Sequence, residues 1–384
     1  MRRMTILLLS LMLLAAACGD DDDAASTTAA PGTTAASSTT AAPATTEAPG
    51  ETCAPGQTDG DLDLYNWSDY IDPDLIPAFE AEYGVNVTET FFESNEQLVA
   101  QVQAGGAAYD LIVPSDYMVS IMAEEGLLLP LQKDALTNLG NLDPTFTGLP
   151  FDPDGDWSVP YQWGTTGIGV AYEAVGEDFA PSWALIFEPD PAYAGKISLL
   201  NDAREVLGAA LKYLGYSVNS TSETELQEAV DLIKGVKDSI AKFDSDQFED
   251  DLVSGEVMVA HGYSGDFFTA FDEVEDGWDR FGYIIPEEGA VAWVDNMAIP
   301  VTADAPCTAH TFIDFILDAE NGAALTNYVY FASPNLAAEE FIDPEILEDE
   351  AIYPPDDVFE RLEFIADTGD FELNYQDAFT EIKN

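Results

Sequence analysis

Residues 61–114 read DLDLYNWSDYIDPDLIPAFEAEYGVNVTETFFESNEQLVAQVQAGGAAYDLIVP, and this run decides the fold class. Asp61–Asn66 alternates like a short strand. A helix then opens near Asp72 and Pro73 and closes at Tyr83 and Gly84, with proline at its start and glycine at its end. Val85–Phe91 is a second alternating strand, Asn95–Gln103 a helix halted by Gly105 and Gly106, and Asp110–Pro114 a buried third strand. Strands alternating with helices imply a parallel open α/β sheet, in which ligands sit at the carboxyl ends of the strands. The segments Trp67–Tyr70 and Ser115–Tyr117 follow the first and third strands directly, so this topology delivers both to one edge.

Those two segments share a composition. Trp67-Ser68-Asp69-Tyr70, Ser115-Asp116-Tyr117, Tyr263-Ser264-Gly265-Asp266 and Trp293-Val294-Asp295 each place an aromatic residue within two positions of a carboxylate. Carboxylates neutralise ammonium groups, and aromatic faces attract cations and cover apolar carbon, each good contact contributing roughly 0.5–2 kcal/mol. If the four converge, they suit a chain of amines. In so acidic a sequence, chance neighbours of this kind are also common.

The amino terminus points outside the cytoplasm. Arg2 and Arg3 precede an apolar run from Ile6 to Ala17, which is too short to span a bilayer that needs about 20 residues and reads as a signal peptide over residues 1–17. The run Leu14-Ala15-Ala16-Ala17-Cys18 resembles a bacterial lipobox, so Cys18 is expected to carry lipid. Residues 18–58 hold the acidic cluster Asp20 to Asp23 and then mostly Ala, Thr, Ser and Pro, a composition that cannot bury enough apolar surface to order itself. As a tether of about 40 residues it spans roughly 35 Å.

Charge excludes partners. With 73 Asp plus Glu against 12 Lys plus Arg, the net charge of −61 argues against nucleic acid and anionic lipid surfaces. Attraction of a polycation and solvation in high salt both account for it, the second for most of the charge, since a pocket needs only a few acids. With Cys18 assigned to lipid, Cys53 and Cys307 form an even pair that reads as one disulfide in an oxidising compartment. Two unpaired thiols are the alternative.

Further along, Lys196–Leu200 is another strand, and Asp202-Ala203-Arg204-Glu205 opens an amphipathic helix. Asp202 and Glu205 can aim at one cation from the first turn, or they can form a capping box. Ser222–Glu225 has the same spacing and reads only as a cap.

Taken together, these strings resemble the bacterial spermidine/putrescine-binding proteins, the substrate-binding subunits of polyamine ABC transporters. The resemblance runs from about Leu62 to the end. It rests on Leu64–Tyr70, Phe92–Glu96, Tyr109–Ser115, Leu142–Pro144, Phe151–Pro153, Asp202–Val206, Gly255–Val257, Trp293–Asp295, Ala298–Pro300 and Ser333–Ala337, in that order and spacing. It implies a two-lobed periplasmic-binding-protein fold of type II-like topology, with a ligand cleft between lobes that close by a hinge. Lobe 1 is expected over residues 59–165 plus 294–340 and lobe 2 over 166–293 plus 341–384. Carried over residue by residue, it implies Trp67, Tyr70, Tyr117 and Trp293 as aromatic walls, Asp69, Asp202, Glu205 and Asp295 as amine-binding acids, and Ser68 and Ser115 as polar neighbours. Asp116, Tyr263 and Phe331 complete the expected set. Asp295 stands out because a carboxylate in an apolar strand is costly to bury without a cation; the other reading is a strand-end cap. Tyr263 stands where the family has tryptophan, Phe331 replaces a tyrosine, and a polar residue expected near Ile365 is missing.

The resemblance implies a monomeric extracytoplasmic lipoprotein that hands a protonated polyamine to a membrane permease, with no catalysis, cofactor or metal. Three alternatives have some footing. Another solute on the same fold (an amino acid, thiamine or ferric ion) is one, although an amino acid would want a cation and Arg204 points away on the helical wheel. An extracellular hydrolase is a second, but Gly262-Tyr263-Ser264-Gly265-Asp266 lacks the second glycine of a nucleophile elbow and the only histidines, His261 and His310, read as structural. A calcium loop at Asp152-Pro153-Asp154-Gly155-Asp156 is a third, with its glycine misplaced for an EF-hand.

Overall fold

The computed structural model describes residues 52–384, apart from 106–107 and 177–178. The signal peptide, Cys18 and the tether up to residue 51 lie outside the described residues. Among those described, no helix is long and apolar enough to cross a membrane.

Ten strands form one mixed sheet: β1 (Leu62–Trp67), β2 (Val87–Phe92), β3 (Leu111–Ile112), β4 (Ser158–Ala171), β5 (Ile197–Leu199), β6 (Ile240–Phe243), β7 (Val259–Tyr263), β8 (Phe281–Ile284), β9 (Val291–Ala298) and β10 (Glu363–Phe364). Their order is β2-β1-β3-β9-β4-β7-β5-β6, with β10 on β9 and β8 on β4. The expected β-α-β-α-β opening is present, since β1 pairs in parallel with both β2 and β3. Its first helix, Leu75–Tyr83, ends where Gly84 takes the left-handed conformation at φ 72°, and the Gly84 N–H bonds back to the Glu80 carbonyl. A second parallel group, β7-β5-β6, lies at the other end of the sheet. The two groups meet through the long antiparallel pair β4–β9.

That pair explains the two cores. Every residue of β4 and β9 is buried. Along β9, Val291, Trp293 and Met297 pack in a cluster with the β1–β3 segments, while Ala292 and Val294 face a second cluster built on β5, β7 and their helices. Strand alternation thus sends one strand's side chains into two lobes. β4 makes the same passage lengthwise, with Val159 and Tyr161 in the first cluster and Ile168 and Val170 in the second.

Cys53 and Cys307 are bonded, closing a separation of 254 residues with their Cα atoms 5.2 Å apart. The bridge ties the start of the described chain to the helix Pro306–Ile316, and Asp59 reinforces it by accepting from the Cys307 and Thr308 amides at 3.2 and 3.0 Å. Closing so long a loop restricts the unfolded chain. Replacing both cysteines by serine should therefore lower the unfolding free energy by about 2–5 kcal/mol, read by denaturant titration, while an unchanged midpoint would show that the Asp59 contacts suffice alone.

Candidate functional site

The carboxyl ends of the strands supply the site one element at a time. β1 runs into Trp67, Ser68 and Tyr70; the bend after β3 presents Ser115, followed by Asp116 and Tyr117 at the start of the helix Asp116–Glu124. β5 leads to Asp202, the N-cap of the helix Ala203–Tyr213, with Glu205 in its first turn. β7 ends on Tyr263, and β9 presents Trp293 and Asp295 two residues apart on one face. All of these, together with Phe331, line a single cavity. Asp69 is the exception among the expected residues. It is exposed in a turn at φ 52° and does not line the cavity, its carboxylate accepting the Ser68 hydroxyl at 3.2 Å.

The lining adds residues beyond the expected set: Phe92, Glu93, Asn95, Ser245, Asp246, Asp266 and Ile365. Asp266 belongs to an aromatic–acid stretch, and Phe92, Glu93 and Asn95 fall in one of the strings that carry the family resemblance, so their signal was present. Ser245 and Asp246 come from the loop after β6, between Phe243 and Phe248, a stretch the expected set did not include.

Aromatic rings form a continuous wall. Trp67 and Tyr263 lie 6.4 Å apart between centroids, Tyr263 and Trp293 5.9 Å, Trp293 and Phe331 5.0 Å, and Phe331 and Tyr70 5.2 Å, all close to edge-on. Two glycines make room for this wall. A Cβ on Gly164 would fall 2.8 Å from the Trp293 ring, and one on Gly265 would fall 2.4 Å from the Val329 carbonyl and 2.7 Å from the Phe331 ring.

Among the described residues, seven carboxylates line the cavity (Glu93, Asp116, Asp202, Glu205, Asp246, Asp266 and Asp295), and no lysine, arginine or histidine does. Asp295 accepts the Ser115 hydroxyl at 2.7 Å, and Ser115 is held by Asn95, which accepts from its amide and donates to its hydroxyl, both at 3.0 Å. Asp295 lies within β9 and accepts this hydroxyl across to the β3 segment, so it is no strand-end cap. Burial raises its pKa to about 7. The Asp116 carboxyl rises to about 8, again chiefly through burial. Burial also raises Asp202, and it lifts Glu205 and Asp266 well above the carboxylate range, with Asp202 adding to Glu205 and Asp69 to Asp266. Asp202 both caps its helix, accepting from the Arg204 and Glu205 amides at 2.8 and 3.0 Å, and lines the cavity. Glu205 does not complete the capping box with a bond back to Asp202; its Oε2 is buried without a hydrogen-bond partner.

Nearby cations are committed elsewhere. Arg204 donates to Glu372 at 2.6 Å, to the Ala366 carbonyl at 3.2 Å and to Asn219 at 2.9 Å, facing away from the cavity. In the Asp152–Asp156 turn the Lys133 ammonium binds the Asp154 carbonyl at 2.6 Å and the Asp156 carboxylate at 2.7 Å, where a calcium reading would put its ion. His261 is buried against Trp183, and burial depresses its pKa to about 3. His310 accepts from the Gln132 amide at 2.8 Å.

Chemically, the cavity offers negative ends joined by apolar rings, a receptor for ammonium groups separated by methylenes. Left empty, it should prefer protons. Asp116, Asp202, Glu205, Asp266 and Asp295 have pKa values raised above those of an unfolded chain, so the native state binds more protons between about pH 4 and 8, and unfolding in that window releases them. Stability of the ligand-free protein should therefore fall as pH rises from about 5.5 to 8.5. Thermal melts at constant ionic strength should show this, with a shallower slope in Asp116→Asn; a flat or opposite slope would contradict the burial of these groups.

Comparison with known proteins agrees with this geometry. Residues 74–354 match the family described as bacterial extracellular solute-binding protein. The chain is 35% identical over 321 residues to the spermidine/putrescine-binding periplasmic protein of Salmonella typhimurium, covering 83% of this chain and 90% of that one. Among solved structures, the spermidine/putrescine ABC transporter substrate-binding protein PotD of Streptococcus pneumoniae superposes with a TM-score of 0.70 at 34% identity, covering 85% of this chain and 99% of that one. The Tp0655 (TpPotD) lipoprotein of Treponema pallidum does so with a TM-score of 0.73 at 32% identity, covering 84% and 98%.

Proposed function

The chain belongs to the bacterial extracellular solute-binding protein family, and from that premise we propose that it captures a protonated polyamine, spermidine or putrescine, as the extracytoplasmic component of an ABC importer. The observation that carries this reading is the cavity lined, among the described residues, by seven carboxylates and no basic side chain. An anionic or zwitterionic solute would leave its own carboxylate facing other carboxylates. A diamine or triamine instead places an ammonium near Asp295 and Asp116, another near Asp202 and Glu205, and its methylenes along Trp67, Tyr263 and Trp293.

Binding does no chemistry on the solute. Its charge relieves the mutual repulsion of the acids and stabilises the closed lobes, whose limits we take as 59–165 plus 294–340 and 166–293 plus 341–384. The closed form is then presented to a membrane permease. The protein acts as a monomer anchored through lipid at Cys18, the tether giving it reach.

Asp295→Asn keeps the shape of the residue and removes its charge. It should weaken spermidine and putrescine binding at least about tenfold, the loss of one charge-assisted contact, measured by calorimetric titration. Unchanged affinity would remove Asp295 from the site.

A further inference from the structure

We propose that Glu96 is a further residue of the binding machinery, a positioning group that steadies the Tyr117 wall and clasps the two lobes through Gln376. The inference rests on the polyamine reading for its ligand. Glu96 does not line the cavity. It sits in the first turn of the helix Asn95–Ala104, whose Leu98 and Val102 pack in the β1–β3 core. Gln376 sits in the carboxyl-terminal helix Glu372–Lys383, whose Tyr375, Ala378, Phe379 and Ile382 pack in the other core. One side-chain oxygen joins them: Glu96 Oε1 accepts from Gln376 Nε2 at 3.2 Å and from the Tyr117 hydroxyl at 3.4 Å.

A second contact crosses at the same place. The Arg204 guanidinium, fixed by Glu372 and Asn219, lies 4.5 Å from the Tyr375 ring centroid and 5.8 Å from that of Tyr117. Tyr117 is thus a cavity wall held from both lobes, by Glu96 from its own side and by Arg204 from the other. Opening the lobes would part Glu96 from Gln376 and Tyr117 from Arg204, leaving the wall without its cross-lobe support. Glu96 forms no ion pair among the described residues, so the amide of Gln376 is the main cross-lobe donor to a half-buried carboxylate, and a stronger donor there would tighten the clasp.

The test uses opposed changes at one position in the full chain. Spermidine dissociation, followed by stopped-flow tryptophan fluorescence, should be about tenfold faster in Gln376→Ala, the effect of losing one hydrogen bond to a charged acceptor. In Gln376→Lys it should be slower than in the unaltered protein, and that slowing should vanish in Glu96→Gln/Gln376→Lys. Thermal melts confirm that each variant is folded. Dissociation at the unaltered rate in Gln376→Ala, or slowing by lysine that survives Glu96→Gln, would overturn the clasp. Small-angle scattering of the ligand-free protein reads the clasp without any ligand: Gln376→Ala should be more open and Gln376→Lys more compact, and identical profiles would also overturn it. Failure of the unaltered protein to bind any polyamine would instead remove the ligand reading, leaving the scattering result to decide the clasp.

Discussion

The constraint on which the structure depends is the burial of carboxylates side by side in one cleft. Seven acids line one cavity; burial lifts Asp295 to about 7, and burial with the added charge of Asp295 lifts Asp116 to about 8. Such a site is unfavourable when empty and charged, and it has two remedies, protons or an organic cation. The aromatic wall makes the second remedy selective, because it favours a cation with carbon between its charges over a small hydrated ion.

The fold supplies that constraint economically. β4 and β9 pass between both cores, and β9 turns one face to each, so Trp293 and Asp295 occupy the seam where the lobes meet. Surrounding strands end at the same seam, and Asp116, Asp202, Glu205 and Asp266 come from the starts of helices; backbone amides bond to Asp116 and Asp202 there. Cations that could neutralise the cleft are withdrawn from it. Arg204, beside the Tyr117 wall, is tied to Glu372, which leaves the cleft's charge available to a solute.

Much of this was legible in the sequence. The opening β-α-β-α-β pattern has the right periods and the right punctuation, and the strand-end segments that pair aromatics with acids did converge. The disulfide was one of two readings of the cysteine pair left once Cys18 is assigned to lipid. What could not be read has physical reasons. Strands buried on both faces, such as β4, have no polar alternation, so their antiparallel pairing and their passage between the cores left no periodic trace. Asp69 shares its segment's composition, yet a left-handed turn at that one residue puts it at the surface. Ser245 and Asp246 reach the cavity from a loop, and Glu96 acts through a partner 280 residues away.

The central claim is that an amine cation takes the place of protons on the buried acids. Calorimetric titration of spermidine into the purified protein at pH 7, in buffers of different ionisation enthalpy, counts the protons exchanged on binding. The account predicts saturable one-to-one binding with net proton release into the buffer. Absence of saturable binding, or binding with no proton release or with uptake, would contradict it.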